Sequence, residues 1–112
     1  MRTRRGEVLR DQLARGNQFI MSTDCGIPGV PHAALGGGLE VLHELGGLSP
    51  VETLKLATSS SAARLGLKDR GTLEPGMRAD LVVVRGDPLH DLGALQRVEL
   101  VIQAGAIVYR RR

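Results

Sequence analysis

The chain of 112 residues is poor in cysteine and in aromatic side chains, with one cysteine, one phenylalanine, one tyrosine and no tryptophan. Because Cys25 has no second cysteine to pair with, a disulfide within the chain and a cysteine-rich zinc site are both excluded. Phe19 and Tyr109 alone offer no platform on which unpaired bases could stack, so single-stranded nucleic acid is a disfavoured ligand. The core must come from leucine, valine, isoleucine and alanine.

Long hydrophobic runs are also missing. No apolar stretch approaches the roughly 20 residues that a membrane helix needs, and the first residues lack the apolar segment of a secretory signal. Hydrophobic residues make up 42% and charged residues 24% of the chain, a balance typical of globular proteins. We therefore expect a soluble, cytoplasmic protein of one domain at most, without a membrane partner.

The net charge of +3 comes from the two ends of the chain. Residues 1–15 carry five arginines against two acidic residues, and the chain closes with Arg110–Arg112. Residues 16–109 hold seven basic and ten acidic side chains. A basic stripe along one face, the usual footprint of a nucleic-acid-binding protein, is therefore missing from the body, which disfavours nucleic acid as a partner.

The first half of the chain has the apolar spacing of helices. Val8, Leu9 and Leu13 fall on one face of a helix that Gly16 would end. Residues 18–23 have the length and apolarity of a buried strand, and a loop rich in glycine and proline follows. A short helix is predicted after the three consecutive glycines Gly36–Gly38.

A capping box gives the clearest local signal. Ser49 as N-cap, Pro50 at the first helical position and Glu52 three residues after the cap predict a helix that begins at Pro50. The stretch of small residues that follows either continues this helix or opens a second one capped by Ser59, and Gly66 ends it.

Beyond residue 66 the pattern changes to strand-like runs. Pro75 and Gly76 suit a type II turn before a valine-rich strand, and the last two strands form a hairpin around Gly105. The sequence therefore predicts an α+β fold, divided into residues 1–66 and residues 67–112.

Asp24 is the main candidate for chemistry. It lies where the predicted buried strand meets the loop rich in glycine and proline, and active sites of α/β sheets and barrels gather at that end of their strands. A carboxylate there can bind a divalent metal or accept a proton from water. An aspartate in this position also commonly caps the loop through its own backbone, and the local pattern leaves both interpretations open.

The three histidines form no local metal motif, because no two of them have the short spacing of a metal clamp. His43 lies in a predicted amphipathic helix and His90 in a polar loop, which favours structural or solvated roles. His32 follows the Asp24 loop, where an imidazole could contact a substrate. Cys25 has no basic partner nearby in sequence, so a buried thiol is favoured over a nucleophile.

Four ordered blocks resemble a known family: "MSTDCGIPGVPH", "GLSPVETLKLATSSSAARLGL", "GTLEPGMRADLVVVRGDPLHDL" and "VELVIQAGAIVY". Together they are similar to the C-terminal part of the metal-dependent amidohydrolases, with the imidazolonepropionase-like and Xaa-Pro dipeptidase-like enzymes as the nearest subgroup. The resemblance covers roughly residues 19–109. It implies the last strand and helices of a TIM barrel, followed by C-terminal strands of a small β-sandwich.

The resemblance also implies roles for single residues. Asp24 stands where the family's aspartate closes the eighth barrel strand, binds the metal, usually zinc, and acts as general base on the hydrolytic water. His32 matches a histidine of the following loop and is implied to face the substrate. Gly71, Pro75, Gly76 and Asp80 correspond to structural positions.

The family's remaining metal ligands are an H-x-H motif, a bridging lysine or carboxylate and two further histidines, and none of these precedes Asp24. The barrel alone takes at least about 200 residues. We therefore expect a fragment or truncated product that is inactive alone on its amide or dipeptide substrate. The alternative is a non-catalytic α+β module. In both cases a strand and helix faces without neighbours predict a homo-oligomer.

Overall fold

The computed structural model describes residues 4–22 and 35–112, and along the chain the helices precede the strands apart from one short 3₁₀ helix. The helical part contains α1 (Arg4–Ala14), α2 (Leu35–Gly46), α3 (Pro50–Lys55), a π-helical turn (Leu56–Ser60) and α4 (Ser61–Arg64). The second part contains β1 (Leu81–Val84), a 3₁₀ helix (Leu92–Gln96), β2 (Val98–Gln103) and β3 (Ala106–Arg110). This order confirms the α+β prediction, whereas the division between residues 66 and 67 stays a prediction.

Helices α1 and α2 pack against each other where α2 ends. A side chain at Gly46 would meet the side chains of Leu9 and Leu13 at 3.4 and 3.6 Å, so the absence of one lets α1 approach closely. Arg10 Nη1 donates to the carbonyl of Leu45 at 2.5 Å. A guanidinium at the C-terminal end of a helix also interacts favourably with the helix dipole.

Helix α3 begins with the predicted capping box. Ser49 Oγ accepts from the amide of Glu52 at 3.1 Å, and Glu52 Oε2 accepts from the amide of Ser49 at 2.8 Å. The helical path continues through the π-helical turn and α4 as far as Arg64. It ends as predicted, because Gly66 has a φ of +75°, the left-handed conformation that stops a helix.

The three strands form an antiparallel sheet in the order β1-β2-β3. The β2–β3 turn places Ala104 at φ +50° and Gly105 at φ +82°. The sequence predicted the positive φ at Gly105 and missed the one at Ala104. The turn before β1 is also confirmed, since Gly76 has φ +89° and the amide of Met77 donates to the carbonyl of Glu74 at 3.2 Å.

Paired residues in the sheet stand in rows that cross the strands. Val82, Val101 and Tyr109 form one row, and Leu81, Ile102 and Ile107 form the next. Neighbouring rows point to opposite faces of a sheet. Both faces of this sheet are therefore apolar, and Val82, Ile107 and Tyr109 each remain about half exposed.

The core of the described residues is small and lies mostly among the helices. Its buried apolar side chains are Leu39, Leu56, Ala62, Leu92 and Ala94. The 3₁₀ helix connects the sheet to this core, because Gln96 Nε2 donates to Glu40 Oε1 on α2 at 2.7 Å. A side chain at Gly71 would come within 2.8 Å of Ala62 Cβ, so this glycine lets the following loop lie against α4.

The predicted buried strand at residues 18–23 is wrong for the residues that the structure describes. Residues 18–22 have no strand conformation, Phe19 is half-buried, and Ile20 is exposed. A strand requires a hydrogen-bonded neighbour, and none of the three described strands pairs with this segment. The apolar sequence is present, but its neighbours are not among the described residues.

Asp80 fixes the hairpin turn to the start of β1. Its Oδ1 accepts from the amide of Ala104 at 2.8 Å and from Arg78 Nε at 3.0 Å. The amide of Ala104, followed by the Arg78 guanidinium, lowers the pKa of Asp80 below its ordinary value of 3.8. This geometry agrees with the structural role that the sequence assigned to Asp80.

We expect Asp80→Asn to destabilise the protein at neutral pH and to matter progressively less in acid. A carboxylate whose pKa is lowered in the folded state contributes stability above its unfolded pKa and loses it as the pH falls through the folded pKa. Urea unfolding at pH 7 and below pH 3.8 checks this. Glu74→Gln, at an exposed carboxylate, is the control. A wild-type–variant difference that does not shrink in acid would contradict the assignment.

Candidate functional site

The three candidate residues nearest the predicted site, Asp24, Cys25 and His32, lie outside the described residues. The structure describes the two flanks of this stretch, which end at Ser22 and begin again at Leu35. The geometry of the site is therefore the geometry of these flanks. What the flanks contact determines how the chain enters and leaves the segment that carries Asp24.

The first flank, residues 19–22, is held by side chains of α4. Ser61 Oγ accepts from the amide of Met21 at 3.0 Å. The guanidinium of Arg64 donates to the carbonyl of Phe19. Two side chains of one helix thus hold the backbone of this flank, one at Phe19 and one at Met21.

The π-helical turn prepares Ser61 for this contact. Ser61 Oγ donates its own proton to the carbonyl of Leu56, five residues earlier, at 2.5 Å. The hydroxyl is therefore oriented, with its lone pairs left to accept from Met21. Ser61 is buried, so its polar group is satisfied inside the protein by these two bonds. Such π-helical turns are frequent at functional sites.

The second flank returns to the same helical cluster. A side chain at Gly38, in the first turns of α2, would lie 3.5 Å from Met21 Cε. A side chain at Gly36 would approach the Gln96 side chain at 3.2 Å and the carbonyl of Leu95 at 3.3 Å. The glycine-rich start of α2 therefore packs closely against both the Met21 side chain and the 3₁₀ helix.

The two described histidines take structural or solvated positions, as the sequence indicated. His43 Nδ1 is hydrogen-bonded to the carbonyl of Leu48, just after α2. His90 Nδ1 lies 2.6 Å from Asp87 Oδ2, and its side chain is 86% exposed. The pKa of Asp87 is lowered, first by the amide of Leu89 and then by His90. The contacts of Asp87 with Leu89 and His90 organise the loop after β1.

A polar hollow of about 190 Å³ lies between α2 and the 3₁₀ helix. Glu40, His43, Glu44, His90 and Asp91 are among its lining residues. Across residues 4–22 and 35–112, however, no three histidine, cysteine, aspartate or glutamate side chains are arranged to hold a metal ion. The described part of the chain does not by itself form a metal site.

The structure also shows what the sequence missed. In the sequence, Ser61 was only one member of a stretch of small residues that continues or opens a helix, whereas the structure shows that it is buried. The bond from Met21 to Ser61 spans 40 residues of sequence, so no local pattern could reveal it. The local signal is a run of four consecutive hydroxyl side chains, Thr58–Ser61.

Among the described residues, no helix combines the length and the apolar character that crossing a membrane requires.

Comparison with known proteins gives consistent matches. The model of the amidohydrolase family matches residues 9–109. An imidazolonepropionase from Paracoccus denitrificans is 41% identical over 76 residues, which are 68% of this chain and 18% of that protein. An adenine deaminase from Brucella anthropi is 43% identical over 63 residues, covering 56% of this chain and 10% of that protein.

A solved structure matches the whole arrangement of helices and strands. A protein from Bifidobacterium longum, described as a prolidase, superimposes with a TM-score of 0.87 and 39% sequence identity. The match covers 96% of this chain and 27% of that protein. The chain thus spans between about a tenth and about a quarter of these three proteins.

We expect Ser61→Ala to release the segment that leads to Asp24. The variant removes the acceptor of the Met21 amide, so hydrogen exchange at that amide should accelerate by about tenfold, the equivalent of one neutral hydrogen bond. Thr58→Ala is a matched control, because the Thr58 hydroxyl donates only to the carbonyl of Leu54 within the helix. Equal exchange at Met21 in wild type and Ser61→Ala would show that this bond does not hold the segment.

Proposed function

This chain belongs to the amidohydrolase family, and we propose that it supplies the C-terminal portion of a metal-dependent enzyme that hydrolyses C–N bonds of cyclic amides or dipeptides. The observation that carries the proposal is the match of helices and sheet together, over 96% of this chain, to the prolidase structure. The imidazolonepropionase match supports the cyclic-amide side of the substrate class.

Asp24 is the catalytic residue in this proposal. In amide hydrolysis, the oxygen of water bonds to the carbonyl carbon, the C–N bond breaks, and a proton must move from the water to the leaving nitrogen. A carboxylate between the two performs this transfer by accepting the proton first and donating it afterwards. Asp24 takes that role, and His32 contacts the substrate beside it.

Enzymes of the amidohydrolase family generally use a divalent metal, which activates water and polarises the carbonyl group. We assign one ligand of this metal, zinc in our proposal, to Asp24. The described residues do not complete the site, because none of their acidic, histidine or cysteine side chains cluster suitably. In this proposal the remaining ligands come from polypeptide outside this chain, and we expect no hydrolysis from the chain by itself.

The second candidate function is a non-catalytic α+β module that associates with copies of itself. Its support is the amount of apolar surface that stays exposed, including Leu73 at 82% and Val82 at 53% of their accessible areas. Exposed apolar surface and unpaired strand edges favour association with another chain. The two candidates differ in their readouts, since one concerns hydrolysis and the other concerns subunit number.

A chimera tests the enzymatic proposal. The quarter of the Bifidobacterium prolidase that this chain matches would be replaced by residues 9–109. We expect metal-dependent dipeptide hydrolysis, and we expect Asp24→Asn to lower kcat by at least about a hundredfold, the usual minimum for a lost general base.

Asp11→Asn is the matched control, since Asp11 forms only an exposed ion pair with Arg15. The chimera's content of folded protein and bound zinc would be measured in parallel. A folded, zinc-loaded chimera whose activity survives Asp24→Asn would refute the role of Asp24. A folded, zinc-loaded chimera without activity would refute the proposal that this chain supplies the hydrolase's C-terminal portion.

A further inference from the structure

The sheet has two edges of different character in the described part of the chain. On β3, the partners shift from Val101↔Tyr109 to Ile102↔Ile107, which leaves Val108 as an extra, bulged residue. The strand then runs into Arg110–Arg112. Bulges and charged side chains are the devices by which proteins prevent edge-to-edge pairing. The β3 edge is therefore protected.

The β1 edge carries neither device. Leu81–Val84 is a run of four apolar residues without a charge. The ladder between β1 and β2 has a register shift, but its extra residue is on β2, because Val83 pairs with Leu100 and Val84 with Val98. Val82 and Val83 are 53% and 47% exposed, so neither side of the strand is covered. An unpaired apolar edge of this kind is a template for another strand.

The backbone groups that face away from β2 can be identified. The amide of Arg85 donates to the carbonyl of Arg97 at 2.8 Å, and the carbonyl of Ala79 accepts from the amide of Gly105 at 3.0 Å. The backbone amides and carbonyls of the odd-numbered residues of β1 therefore point toward β2. Since the direction alternates along a strand, the amides and carbonyls of Val82 and Val84 face outward.

We propose that a second copy of this chain pairs with the β1 edge, antiparallel and centred on Val83, to form a continuous six-stranded sheet. In this register Val82 of one copy lies opposite Val84 of the other. The two amides and two carbonyls of each such pair form two hydrogen bonds. Val83 then lies beside Val83 of the second copy as a closely spaced pair that is not hydrogen-bonded. No other antiparallel register uses all the outward groups of the strand.

The flanking charges fit the same arrangement. Asp80 directly precedes the strand and Arg85 directly follows it. Antiparallel pairing brings Asp80 of one copy, which is already paired with Arg78 of its own chain, near Arg85 of the other copy at both ends of the interface. Since both faces of the sheet are apolar, pairing also extends two apolar surfaces across the junction. This inference rests on the second candidate function, whose self-association it assigns to one edge.

Charge substitutions at Val83 test the pairing and its register together. Val83→Asp and Val83→Lys each place two like charges side by side on the symmetry axis, where such pairs destabilise a sheet. Each variant alone should dissociate about fivefold more readily than the wild-type dimer in sedimentation velocity. An equimolar mixture of the two should recover a dimer that contains one chain of each kind. Val108→Asp on β3 is the matched control and should leave the dimer intact.

Two further measurements keep the result interpretable. Circular dichroism reports whether each variant stays folded. Arg85→Asp removes the positive charge near Asp80 of the other copy, so we expect it to weaken the dimer, and it keeps the backbone bond from residue 85 to Arg97. Three outcomes overturn the proposal: a monomeric wild-type chain, Val83 variants that still form homodimers, or dissociation by Val108→Asp. If the wild type is monomeric, the alternative partner of the β1 edge is a strand from another part of an amidohydrolase polypeptide. None of these outcomes alters the chimera test of Asp24.

Discussion

The helical run from Pro50 to Arg64 is the element on which the rest of the described structure depends. It starts at a capping box, and Thr53, fully buried, donates its hydroxyl to the carbonyl of Ser49 at 2.9 Å. Ser61 near its end holds the segment that leads to Asp24. Gly71 brings the following loop against the same helix. Buried hydroxyl groups with satisfied hydrogen bonds are directional, so they fix the segment more sharply than apolar contacts would.

The second constraint is that much of the apolar surface of the described residues is exposed to solvent. The buried apolar side chains are few, whereas valines on α2, on β1 and on β3 remain half exposed. In the proteins that this chain resembles, it corresponds to between about a tenth and about a quarter of the polypeptide. The described fold is internally consistent, and its exposed rows of valine and isoleucine have the pattern of surfaces that a neighbour covers. Among the described residues no strand pairs with residues 18–22, which agrees with their lack of strand conformation.

Local signals in the sequence predicted most of the fold. Ser49 with Glu52, Gly66, Gly76 and Gly105 each act within a few residues, so their helix caps and turns could be predicted without knowledge of the tertiary structure. The contact of Ser61 with Met21, the bulge at Val108 and the missing strand depend on residues far apart or on neighbours outside the described residues, and no short pattern contains that information. The local pattern made Asp24 and His32 candidates, and the family resemblance assigned their roles. The family match supports the resemblance, while both residues lie outside the described residues.

Native mass spectrometry of the purified chain, with and without added zinc, tests the central claim most directly. Our account holds that this chain carries one ligand of a metal site and needs the others from elsewhere. It predicts an assembly of copies that retains no zinc in stoichiometric amount, because a single carboxylate does not hold the ion in a defined geometry. Zinc retained at one ion per chain, and lost in Asp24→Asn, would contradict it by showing that the copies build a complete site among themselves.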